Sequence, residues 1–258
     1  MEKSSTDKAM IDQNRFDEAR FKIIGVDRER PTIGTLSEKT LHAILKNYYE
    51  PDEDHQEIPI ENYVADIYRD DKIMEIQTRA FEKMRGKLSA FLPHYEVTIV
   101  HPIPYEKHLV WVNPETGELS AKRKSPKKGS VFHIFHELYK IKMFLTNPNL
   151  NIKICLVNMD EYKLLNGWSK DKKKGSWRYD RVPTSMIEEV DITCPRDYLL
   201  FLPLELPEQF TSKEYARTCH ITTSMAQTGL NILKHVGAVR VVGKKGNAFL
   251  YEVNEREE

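Results

Sequence analysis

Residues 62–78 read Asn-Tyr-Val-Ala-Asp-Ile-Tyr-Arg-Asp-Asp-Lys-Ile-Met-Glu-Ile-Gln-Thr, and this stretch decides the fold. Two strand-like runs, Asn62 to Tyr68 and Lys72 to Thr78, flank a short polar turn at Asp70-Asp71. A turn centred there sets Tyr68 opposite Ile73, Ile67 opposite Met74 and Asp66 opposite Glu75. Side chains alternate between the faces of a strand, so Asp66, Glu75 and Gln77 share one side, and Ala65, Ile67, Met74 and Ile76 share the other. Two carboxylates opposed on a sheet destabilise it unless a cation sits between them, and a divalent metal is the natural occupant. A solvated hairpin with ordinary surface acids is the alternative.

Working outward, Leu41, Ile44, Leu45 and Tyr48 fall at i, i+3, i+4 and i+7, which predicts a helix from Thr35 that ends at Pro51. Phe81, Met84, Leu88, Phe91 and Leu92 predict a second helix, stopped by Pro93. Strands are expected over Glu96 to Ile103 and Lys107 to Asn113, with Asn113-Pro114-Glu115-Thr116-Gly117 turning into a further one. Val131 to Leu145 predicts one buried helix, and Ile152 to Met159 a central strand. This order describes an α/β fold with a mixed central sheet flanked by helices. Residues 1–30 carry charge of both signs and few large apolar groups, and read as a loose or peripheral N-terminal extension before a domain over 31–203.

The 258 residues hold 39 basic and 39 acidic side chains, so the balance is neutral but unevenly laid out. Lys122, Arg123, Lys124, Lys127 and Lys128 form one basic stretch; Lys170, Lys172, Lys173, Lys174, Arg178 and Arg181 form another. Such runs are most often solvated loops, and their company with a carboxylate hairpin shifts the reading toward phosphate contacts. Cys155, Cys194 and Cys219 are scattered, which argues against a disulfide framework or a cysteine zinc site and for a reducing compartment, the cytoplasm. No apolar run approaches a membrane span, so no membrane partner is expected. His133, His136 and Glu137 do not have zinc-protease spacing, and no dinucleotide, Walker-type or serine-hydrolase motif is present.

After Pro203 the chain changes character, and 204–258 reads as a separate domain. Thr211 to Cys219 and Thr222 to His235 predict helices, the longer one opening on a Ser224–Gln227 capping box. Val239 to Val242 and Phe249 to Val253 predict a hairpin tipped by Gly243-Lys244-Lys245-Gly246-Asn247. Two helices followed by a basic-tipped hairpin resemble a winged helix. On the longer helix Leu230, Leu233 and Val236 face inward and Thr223, Gln227, Asn231 and Lys234 outward, residue types that reach base edges or phosphates. A winged helix used only for packing is the alternative.

Asp66, followed by Glu75-Ile76-Gln77, resembles the D…E-x-K/Q hairpin of the PD-(D/E)XK, restriction-endonuclease-like superfamily, over roughly Thr35 to Asn158. Ala65 stands where that motif has its proline, and Gln77 where lysine is usual. The resemblance implies a metal-dependent DNA endonuclease with Asp66, Glu75, Gln77 and Glu38 as catalytic residues. It further implies that Asp66, Glu75 and the Ile76 carbonyl hold Mg²⁺ or Mn²⁺. Glu38 also has capping-box spacing from Thr35, so both roles stay open. A neutral amide at 77 orients water without lending charge; Arg79, Lys83 or Lys87, spaced along the following helix, is a candidate substitute. DNA contacts are expected from Lys124, Lys127, Lys128, Lys172, Lys173, Lys174, Arg178, Thr223, Gln227, Asn231, Lys234, Lys244 and Lys245. Trp168 and Trp177 flank the second basic stretch, where they could stack on bases. Double-strand cutting would favour a homodimer. The competing expectation is a non-catalytic DNA-binding regulator with a degenerate nuclease-like domain.

Overall fold

The computed structural model describes residues 11–25, 40–165 and 177–254. Helix α1 (Gln13–Ile24) opens on Asp12, whose carboxylate accepts the Arg15 amide, and buries Phe16 edge-on against Tyr48. Within the expected loose or peripheral extension, residues 13–24 are helical, held by buried Phe16 and Ala19 and by Arg15 and Lys22, which donate to the Tyr49 and Pro51 carbonyls. Helix α2 (Thr40–Tyr49) buries Leu41, Ile44, Leu45 and Tyr48, the stripe its spacing predicts.

Three strands follow: β1 (Gln56–Ile60), β2 (Tyr63–Arg69) and β3 (Lys72–Ile76). β1 was not expected, since Pro59 and the acids before it disguise it; as the first strand of the sheet it tolerates the missing N–H. Asp70 and Asp71 both have positive φ, 51° and 59°, the backbone a tight two-residue hairpin demands. A 3-10 turn (Phe81–Met84) runs into α3 (Arg85–Phe91), which leads to β4 (Glu96–Val112). The two strands expected here are one, because Pro102 and Pro104 sit two residues apart and turn their missing donors to the same edge.

The further strand is only β5 (Arg123–Lys124), paired with β4. The single helix expected over 131–145 is broken into a 3-10 turn (Val131–Ile134), α4 (Phe135–Lys140) and a second 3-10 turn (Lys142–Phe144), Ile141 leaving helical geometry at φ −116°. Long strands β6 (Leu150–Leu164) and β7 (Trp177–Ile192) complete a sheet ordered β1-β2-β3-β4-β6-β7. It is mixed, β1 with β2 antiparallel and β3 with β4 parallel. Arg178 and Arg181, read as part of a basic loop or ribbon, lie on β7; residues 166–176 are outside those described.

The chain divides into two compact units, and the division departs from the expected boundary at 203/204. The first comprises residues 1–68, 102–130 and 155–190. One of its cores packs Val110, Val112, Tyr162 and Val182, and burial together with the charges of Asp160 and Asp180 pushes the Tyr162 phenol up to about 12. The second comprises 69–101, 131–154 and 191–258. Its core includes Phe81, Phe91, Phe135, Phe201, Phe210 and Tyr215, all fully buried.

The last part of the second unit runs β8 (Gln209–Thr211), α5 (Ser212–Thr218), α6 (Thr223–His235), β9 (Val239–Lys245) and β10 (Ala248–Val253). Its sheet is antiparallel in the order β8-β10-β9. The capping box lies on α5, between Thr211 and Glu214, and not at Ser224–Gln227. α6 is capped by Thr222, which takes the Met225 amide one turn in, so Ser224 is already inside the helix. Gly229 lets α6 close on α4: a Cβ there would stand 2.4 Å from the Phe135 ring.

Candidate functional site

Asp66 lies on β2 in the first unit, and its surroundings come from α2 and β1. His42 Nε2 is 3.0 Å from Asp66 Oδ2. One helical turn on, Lys46 Nζ donates to Glu57 Oε1 at 2.6 Å. The β1–β2 pairs Gln56 with Ile67 and Ile58 with Ala65 bracket Glu57 and Asp66, which places these two carboxylates in register. Lys46, by its hydrogen bond and then its charge, holds the Glu57 carboxyl below the usual range against the opposing influence of Asp66. Two acids are thus matched by two basic side chains at i and i+4 on one helix. Sequence reasoning missed His42, Lys46 and Glu57. The spacing of His42 and Lys46 was visible, but without β1 there was nothing for it to face.

Glu75 lies on β3 in the second unit and is 3% exposed. Lys87, on α3, donates to both its oxygens, at 3.0 and 2.8 Å. Of the three basic residues expected along this segment, Lys87 forms a salt bridge with Glu75. Gln77 takes another course: its amide nitrogen donates to the carbonyls of Arg79 and Ala80, the latter at 3.4 Å. Ala80 has φ 60°, and Gln77 braces this strained bend. His101 Nδ1 donates to the Gln77 carbonyl at 2.7 Å, with its ring edge-on to Phe81. Glu75 and Gln77 stand at the carboxyl end of β3, beside parallel β4, the place where open α/β sheets bind ligands. Ile76 is 2% exposed and in register with Val100. Glu38 lies outside the described residues.

Asp66, Glu75 and a backbone carbonyl are oxygen donors of the kind a hard divalent cation takes. Among the described residues no three of His, Cys, Asp and Glu gather to hold a metal, and Lys87 engages both Glu75 oxygens. Glu137, read beside His133 and His136, is structural: it accepts the Phe81 amide at 2.8 Å and pairs with Lys140.

Two lysines of the basic stretch 122–128 are matched by acids on other strands. Lys124 pairs with Glu106 at 2.8 Å and Lys122 with Asp160 at 2.6 Å, while Lys128 sits 4.1 Å from the centre of the Tyr105 ring. Lys127 is exposed. Arg178 is 3.7 Å from Glu161. Burial alone would raise the Glu161 carboxyl, but Lys107, Arg178 and Lys163 together bring it below the usual range. Lys172, Lys173 and Lys174 lie outside the described residues, as does Trp168, and the Trp177 side chain is not described. On α6, Thr223, Gln227, Asn231 and Lys234 are exposed while Leu230, Leu233 and Val236 are buried. Lys245 pairs with Glu214, and Lys244 lies over Phe249.

The fold and these charge-matched carboxylates define a mixed α/β protein with polar clusters on the strands of its sheet. Residues 39–193 match the Domain of unknown function DUF8091, and the chain belongs to that family. It is similar to an uncharacterized protein of Treponema pallidum (strain Nichols), 28% identical over 227 residues that cover 85% of this chain and 87% of the relative. No solved structure matches. No helix among the described residues is long and apolar enough to cross a membrane.

Proposed function

We propose that this protein is a metal-dependent DNA endonuclease of restriction-endonuclease-like architecture, with a winged-helix tail that grips the duplex. The observation that carries the reading is the bidentate contact of Lys87 with Glu75. In the superfamily that the hairpin resembles, a lysine follows the glutamate by two residues. Here Gln77 stands in that place, and Lys87 brings a positive charge to the same glutamate from the next helix. The order of elements supports the reading: a helix, the acidic hairpin, a further helix, then a strand parallel to β3. The tail supports it through two helices, a three-stranded sheet ordered β8-β10-β9 and a wing carrying Lys244 and Lys245.

In this proposal Asp66, Glu75 and the Ile76 carbonyl would hold Mg²⁺ or Mn²⁺, Lys87 yielding a Glu75 oxygen to the ion. When bound, such a cation acidifies a water and offsets charge on the scissile phosphate. His42 orients the Asp66 carboxylate, Lys87 orients Glu75, and the exposed Lys127 with the α6 face holds the DNA backbone. Three free thiols, two of them buried, fit a cytoplasmic site of action. Double-strand cutting would use a homodimer.

A second reading, a DNA-binding regulator without catalysis, has its own observation: the Gln77 amide, in the place of the catalytic lysine, is engaged by the carbonyls of Arg79 and Ala80. Purified full-length protein incubated with duplex DNA in Mg²⁺ and in EDTA separates the two. The nuclease cuts only with metal, and Asp66→Ala and Glu75→Ala each lower cutting about 100-fold or more while duplex affinity stays within about twofold. Salt-dependent binding without cleavage of duplex, single-stranded or modified DNA gives the second reading.

A further inference from the structure

One residue on the outward face of α6 already has a partner. Lys142, in the 3-10 turn after α4, donates from Nζ to Asn231 Oδ1 at 3.0 Å. The same ammonium lies 5.7 Å from the centre of the Tyr139 ring, so an aromatic face and an amide oxygen both hold it. Gly229 keeps α6 and α4 close enough for this bond, since any side chain there would meet Phe135.

A carboxamide has an acceptor end and a donor end. Asparagine reads adenine with both, accepting from N6 and donating to N7, while guanine offers its reader two acceptors, N7 and O6. Lys142 takes one of the two lone pairs of Asn231 Oδ1 and sets its positive charge beside that oxygen, which disfavours a second donor such as adenine N6 and leaves the amide nitrogen and the ammonium as two adjacent donors. We propose that Lys142 and Asn231 act together as a guanine-reading pair, so that a residue outside α6 sets the base preference of that helix. This rests on α6 being the helix that reads the duplex.

The test is selection from a randomised duplex library, followed by anisotropy titrations, using full-length wild type, Lys142→Ala, Lys142→Arg, Gln227→Ala and Asn231→Ala. Wild type should select a motif with guanine at one position. Lys142→Ala frees Oδ1 and should exchange that guanine for adenine, with discrimination between the two bases changing by roughly tenfold or more. Lys142→Arg should keep guanine, and circular dichroism of all variants should match wild type. If Lys142→Ala selects the wild-type motif unchanged while Gln227→Ala or Asn231→Ala alters it, the pairing is wrong and α6 still reads DNA. If neither α6 substitution changes affinity or motif, α6 is not the reading helix, and both proposals about it fall.

Discussion

Glu75 is a carboxylate almost without solvent, and Lys87 is the neighbour that compensates it. Removing one partner of a buried pair costs about 3 kcal/mol or more, because the other charge remains desolvated, whereas removing both costs much less. In urea unfolding, Lys87→Met and Glu75→Gln should therefore each destabilise, and the double variant should recover a large part of the sum. Additive losses would show that the two side chains act independently. The strand positions of Asp66 and Glu75 could be read from the sequence, because alternation is a local rule, but the expected helical row Arg79, Lys83, Lys87 is broken, with Arg79 before the bend at Ala80, Lys83 in a 3-10 turn and Lys87 on α3. Which lysine meets the glutamate could not be read, nor that Gln77 turns back to the carbonyls of Arg79 and Ala80. Both depend on the course of the bend at Ala80, whose positive φ nothing in its identity announces.

Elements whose signals lie within a few residues were the legible ones. The Asp70-Asp71 hairpin and the α5, α6, β9, β10 series fall close to where turn residues and apolar spacing put them. β1 and the uninterrupted course of β4 were hidden, since Pro59, Pro102 and Pro104 mark breaks that the sheet absorbs at donor positions it does not need. The packing of α6 on α4 was equally silent, because Gly229 reads as a weak helix residue until the Phe135 ring is seen against it. Gly229→Ala raises intrinsic helix propensity, yet its methyl would overlap that ring, so the variant should lose about 1–3 kcal/mol and melt lower. A higher melting temperature would mean that propensity outweighs the contact and that α6 and α4 are held less closely than described.

Across the whole molecule 39 basic and 39 acidic groups cancel, and several of the acids are tied to specific partners. Glu57 is held below the usual carboxyl range by Lys46, and Glu214 by the Thr211 amide and hydroxyl. Glu161 is lowered by Lys107, Arg178 and Lys163 against the effect of its burial. For each, the folded pKa lies below the ordinary value of 4.5, so the unfolded chain binds more protons across that interval. Their stabilisation is complete above about pH 5 and fades as pH falls through the folded values. The urea midpoint should drop between pH 5 and pH 3, less steeply in Glu161→Gln; a midpoint flat over that range would contradict these pairings. Lys122 and Lys124 looked like free phosphate contacts in sequence because their partners, Asp160 and Glu106, come from other strands of the sheet.

The central claim is catalytic, and one measurement addresses it most directly: conversion of supercoiled DNA by full-length protein in Mg²⁺, compared with Glu75→Gln and with EDTA. The account predicts nicked or linear product from wild type alone, with Glu75→Gln still shifting DNA in a binding assay. Intact supercoiled DNA under all conditions, or cutting that survives EDTA or Glu75→Gln, would contradict it.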